Sequence, residues 1–88
     1  MTQELHARYT KLTTGTVYHN LGGSDYVCLD AGETCAHLMN VYSGWTLIAM
    51  GIIQYENGWI EWDWSKGLTF DKQLLSEYQE TGRIPKRG

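Results

Sequence analysis

The chain has 88 residues, a formal net charge of −3, and an aromatic content dominated by four Trp and six Tyr beside a single Phe. That length suits one domain, on a usual range of about 100–200 residues per domain, and a chain so small hides only about 60–65% of its unfolded surface. A deep catalytic cleft would take much of that core, two cysteines are too few for a disulfide scaffold, and the longest apolar run, WTLIAMGII at 45–53, falls well short of the about 20 residues of a membrane helix.

In chain order, residues 1–14 read as a polar arm or a short helix. Leu5, Tyr9 and Leu12 recur at helical spacing, and Thr2 is placed to cap it. From Gly15 the pattern changes to short β-rich runs between turn signals, and residues 15–67 are expected to form one antiparallel β unit. GTVYHN runs into the breaker LGGS, DYVCL into the loop DAGET, and CAHLMNVY into Ser43-Gly44. WTLIAMGIIQY reads as one long fourth strand, and Asn57-Gly58 as a two-residue type I′ hairpin leading into a fifth strand, WIEWDWS.

That hairpin predicts a register. Glu56 would face Trp59, Tyr55 would pair with Ile60, Ile53 with Trp62, and Gly51 with Trp64. Trp62 and Trp64 would then point into the core, and Glu61 and Asp63 into water. Ile48, Met50 and Ile52 would form an apolar stripe on the outer face, needing a cover. Residues 68–82 are expected to supply it as a helix, with Asp71 as N-cap, Phe70 and Leu75 as a hydrophobic staple, and Gly82 at the C-terminal end. If the helix leaves the stripe bare, it would be a homodimer surface. Residues 83–88 form a basic tail. Five short strands and one helix predict a mainly β (α+β) fold, an SH3-like barrel or a curled five-stranded meander.

Candidate chemistry is sparse. His19, Cys28, Cys35 and His37 are metal-ligating types, but their spacing matches no usual structural zinc pattern, so no metal or other cofactor is expected. A Cys–His nucleophile from Cys28 or Cys35 with His19 or His37 has no flanking signature. The two thiols read as small buried hydrophobes, with a cross-hairpin disulfide left open. LGGS opens no helix and so lacks a phosphate-binding dipole. The aromatics Tyr18, Tyr26, Tyr42, Trp45, Tyr55 and Trp59 are candidates for a cage or peptide groove as well as for the core.

The charge distribution is the most unusual feature. No Lys or Arg lies between Lys11 and Lys66, while Asp25, Asp30, Glu33, Glu56, Glu61 and Asp63 all do. Such a segment opposes direct binding to a nucleic-acid backbone and suits a basic surface on another protein. The expected contact surface is Asp30, Glu33, Glu56, Trp59, Glu61 and Asp63, and the chain reads as a non-enzymatic protein-binding module. The alternative is a small barrel that binds peptide or single-stranded nucleic acid directly, through exposed aromatics and the basic tail.

At YHNLGGSDYVCL, SGWT and YENGWIEWDWSKG the chain resembles small uncharacterised proteins of gut Firmicutes and their phages or mobile elements, over roughly residues 15–70. The resemblance implies a context: small proteins of mobile elements often inhibit a host machine, anti-CRISPR proteins among them. It carries over no catalytic residues; taken with the acidic segment, it leads to the expectation of an inhibitor that occludes the basic nucleic-acid channel of a host enzyme. The opening MTQELHARYTKL lacks the apolar segment of a secretion signal and no run is long enough to span a membrane, so the chain is expected to be cytoplasmic.

Overall fold

A computed structural model describes the backbone of residues 7–84, and the side chains from Thr10 onward except that of Leu68. The fold is mainly β, with eight short strands and one C-terminal helix among the described residues. Strands β2 (Val17–His19), β3 (Asp25–Ala31), β4 (Cys35–Asn40), β5 (Trp45–Met50) and β8 (Trp64–Phe70) form an antiparallel sheet in that order. Strands β1 (Ala7–Tyr9), β6 (Ile53–Tyr55) and β7 (Ile60–Glu61) form a smaller one, with β6 central. Both sheets are open, so the strands do not close into the expected barrel; the large sheet runs as a meander through its first four strands.

The core explains the layering. Neighbouring residues on a strand face opposite sides, and Val27 and Cys28 on β3, like Leu38 and Met39 on β4, are all fully buried. The large sheet is therefore covered on both faces. Cys28, Ala36, Leu38 and Ala49 meet Leu12, Ile52 and Ile60 beneath the small sheet. Val27 and Met39 meet Leu74 beneath the helix α1 (Lys72–Thr81), with Leu75 and Tyr78 packed around them. Asn20 bridges to Ile60, and the Leu21 N–H donates to the Ile60 carbonyl at 3.1 Å, which staples the two sheets together.

The helix begins and ends as its sequence signals. Asp71 accepts the Leu74 N–H through its side chain at 2.8 Å, and Gly82 adopts the left-handed conformation with its N–H on the Tyr78 carbonyl. It packs over β3 and β4 rather than over the far end of β5. Ile48 and Met50 are left half-buried, while Ile52 lies in the core between the sheets. The expected outer stripe of Ile48, Met50 and Ile52 therefore does not exist as one surface.

Three further expectations give way to backbone geometry. The long fourth strand breaks at Gly51, whose φ of 70° turns the chain out of the large sheet, so that Ile52 crosses the core and β6 joins the small one. The hairpin has a three-residue loop, because Asn57 keeps an ordinary negative φ and only Gly58 is left-handed. The Tyr55 N–H donates to the Trp59 carbonyl at 2.9 Å, and Gln54 pairs with Ile60 and Ile53 with Glu61. One residue of slip reverses which face each side chain meets. Trp62 remains half-buried, edge-on to Tyr26 at 5.4 Å, but Trp64, expected inside, is 59% exposed and pairs with Met50 rather than Gly51. At the N-terminal end, Ala7–Tyr9 is a strand on β6 and not part of a helix; Thr2 and Leu5 lie outside the described residues.

Candidate functional site

The six residues expected to form one contact surface are all exposed, and the fold distributes them over two regions. Asp30 and Glu33 belong to the β3–β4 turn end. The Ile52 N–H donates to the Thr34 carbonyl at 2.8 Å and the Asp63 N–H to the Met50 carbonyl at 3.0 Å, so Asp63 arrives at that same end. Glu61 lies beside it, at the base of the β6–β7 hairpin. Together Gly51, Ile53, Glu61, Trp62 and Asp63 line an open hollow of about 370 Å³. Gly51 is needed here twice over: a Cβ on it would stand 3.1 Å from the Asp63 Cβ. Glu61 also accepts the Tyr55 hydroxyl at 2.7 Å, a bond that pushes the Tyr55 phenol above its ordinary range, with burial adding to it.

Glu56 and Trp59 sit at the other region, the tip of the hairpin. Trp59 lies against the imidazole of His19, centroid to centroid 4.3 Å at an interplanar angle of 58°. His19 is itself fixed. Its Nδ1 is 2.6 Å from Oδ1 of Asp25, and the Tyr42 hydroxyl donates to Oδ2 of the same carboxylate at 2.7 Å. An ionised carboxylate only accepts, so Nδ1 carries the proton in this pair. The bond from Tyr42, and then that from His19, holds the Asp25 carboxyl below the usual carboxylate range; the same carboxylate raises the Tyr42 phenol. Trp59, His19, Asp25 and Tyr42 thus form a connected surface chain in which each member limits the next.

Sequence reasoning named Trp59 but missed the group that orders it. The signal was present: a turn at 20–24 places His19 directly opposite Asp25, and a paired imidazole and carboxylate follow from that register. Tyr42 is less accessible to such reasoning, since the whole of β4 separates it from Asp25 in sequence.

Among the described residues, no lysine or arginine lies within ion-pair reach of Glu33, Glu56, Glu61 or Asp63. The other aromatic candidates divide. Tyr18 and Tyr26 pack against the core, whereas Trp45 and Phe70 face each other across β5 and β8 at 5.7 Å and are both exposed. The two thiols are free. Cys28 is buried, and burial pushes its thiol up; Cys35 and His37 lie at the β3–β4 turn end, and His19 is too far along β2 to join them. No set of three or more ligating side chains among the described residues is placed to hold a metal ion. Within the same residues, no helix is long and apolar enough to cross a membrane. Comparison with protein-family models, with curated proteins and with solved structures finds no match.

Proposed function

We propose that the chain is a binding module that recognises a basic surface of another protein. The observation that carries the reading is the combination of exposed carboxylates, unpaired with any lysine or arginine among the described residues, and an exposed indole already held in place by His19, Asp25 and Tyr42. Ordering a large side chain before contact removes part of the entropy lost on binding, and aromatic anchors beside charged rims are where binding energy concentrates. No lysine or arginine among the described side chains pairs with the carboxylates of Glu61 and Asp63, so towards those residues they are open to a partner's guanidinium or ammonium. A partner that handles nucleic acid has a basic surface of this kind, and occlusion of it by the carboxylates would inhibit that partner. The cytoplasm is the compartment in which such a partner would be met.

The test is side-by-side capture from a bacterial lysate on the native chain and on a Glu61→Lys/Asp63→Lys chain, followed by titration of the purified partner. A partner held by the first and released by the second, with affinity falling steeply as salt rises, supports the reading. A partner held equally by both overturns it.

A second reading rests on Trp45 and Tyr42, 58% and 68% exposed, together with Phe70: direct stacking of single-stranded nucleic acid on surface rings. Titration with a single-stranded oligonucleotide separates the two. Tight, salt-sensitive binding lost on deleting residues 83–88, most of which lie outside the described residues, favours stacking; no binding leaves the protein-partner reading alone.

A further inference from the structure

The β3–β4 turn brings a thiol, an imidazole and a carboxylate to one small hollow. Asp30 and His37 are direct cross-strand partners, and a bulge at Leu29 gives Asp30 that position. Directly paired residues share a face, and so do residues two apart on a strand. Cys35 therefore shares its face with His37. Gly32 closes the turn, its N–H donating to the Cys35 carbonyl at 2.8 Å, and it leaves room for the sulfur: a Cβ there would stand 2.8 Å from the Cys35 Sγ. The resulting hollow, about 290 Å³, is lined by Asp30, Ala31, Gly32, Cys35, Ala36, His37 and Ile48. The helix stops short of this end of the sheet, and Cys35 remains half-buried and free.

From this juxtaposition we infer that Cys35 is a thiol–disulfide exchange site, with His37 as the proton acceptor, Asp30 as the residue that positions it, and a small disulfide bearing ammonium groups as the ligand class. The thiol is the nucleophile in such exchange only after losing its proton. As the Cys35 sulfur attacks one sulfur of the incoming disulfide, its proton passes to His37. The incoming S–S bond breaks, a mixed disulfide forms on Cys35, and the departing thiolate takes the proton back from His37. Atoms and charge balance with no further oxidant. Small walls of Ala and Gly admit a narrow group, and Asp30 within the hollow with Glu33 on the adjoining turn favours a cationic one. Cys28 is excluded from the reaction by its burial in the core. This inference is independent of the proposed partner.

The experiment treats the native full-length chain with cystamine, and separately with oxidised glutathione, and follows the mass and site of the adduct over time. The expected result is a single adduct on Cys35, faster with cystamine than with the anionic disulfide, the gap narrowing as salt rises. Cys28→Ser should react as the native chain does. His37→Gln should slow the reaction about tenfold, at the low end of what a positioned base contributes, and flatten its pH–rate profile near neutrality. Asp30→Asn should slow it less and retain the profile's shape, and it provides the readout if His37→Gln does not fold. A Cys35 rate equal to that of an unstructured cysteine peptide, or variants at Asp30 and His37 that leave rate and profile unchanged, would overturn the assignment.

Discussion

Gly51 carries two burdens that no other residue type meets together. Its φ of 70° lies in the left-handed region, and its missing side chain leaves 3.1 Å to the Asp63 Cβ. Gly51→Ala should lose about 1–2 kcal/mol from backbone strain alone, since that is the left-handed penalty for an L residue, and should also displace Asp63. Urea denaturation checks the first effect, and the second appears as weakened partner binding. The two indoles of β8 and its approach differ in the same terms. Trp64→Ala, at an exposed position, should change stability by no more than about 0.5 kcal/mol, while Trp62→Ala removes a ring packed on Tyr26 and the core and should cost several times that. The opposite ranking would restore the register expected from sequence.

Asp25 makes stability depend on acid. Its carboxyl is held low by Tyr42 and then His19. A group with a depressed folded value contributes fully above its unfolded value and loses that contribution as pH falls through the folded one. Thermal melts below about pH 4 should therefore fall less steeply for Asp25→Asn than for the native chain; identical slopes would show that the paired carboxylate contributes nothing.

At the scale of elements, turn chemistry was readable and strand length was not. Asp71 and Gly82 bound the helix where capping rules put them, because a cap is a local side-chain-to-backbone bond. Asp71→Ala should cost about 1 kcal/mol. Leu74→Ala should cost about 2–4 kcal/mol, since the side chain is buried against Val27 and Met39. Both are measurable by chemical denaturation. The position of the hairpin at Asn57-Gly58 was equally legible, but its loop length was not. A two-residue turn needs a positive φ at Asn57, and here the Asn57 side chain instead accepts the Trp59 N–H at 3.0 Å with its backbone left ordinary. WTLIAMGIIQY hid its break for another reason. The run is apolar on both faces, so it lacks the alternation that marks where a strand leaves a sheet. Leu12, read as part of a polar arm, is buried for a tertiary reason: the small sheet lies over it.

Across the whole molecule, the mainly β class and the outward direction of the acids were legible from composition and pattern. The three layers were not, because they depend on the long-range choice made at Gly51. The same choice separates the contact residues: Glu61 and Asp63 at one end, Glu56 and Trp59 at the other. If both regions touch one partner, lysine substitutions at Glu61 and at Glu56 should have additive effects on affinity, as for sites with no shared neighbour.

The hairpin that interrupts the path from β5 to β8 has a consequence for how the chain divides. A cut in the exposed loop at Asn57-Gly58 leaves one piece holding most of both sheets but lacking Ile60 and Leu74. The other holds β7 of the small sheet, the edge strand β8 of the large one, and the helix, with nothing to close upon. Neither half retains a complete interior, yet the break itself falls between exposed residues. Co-expressed halves should reassemble into a nicked protein with native-like spectra, and fusing each to a different carrier would make the fold report on their encounter.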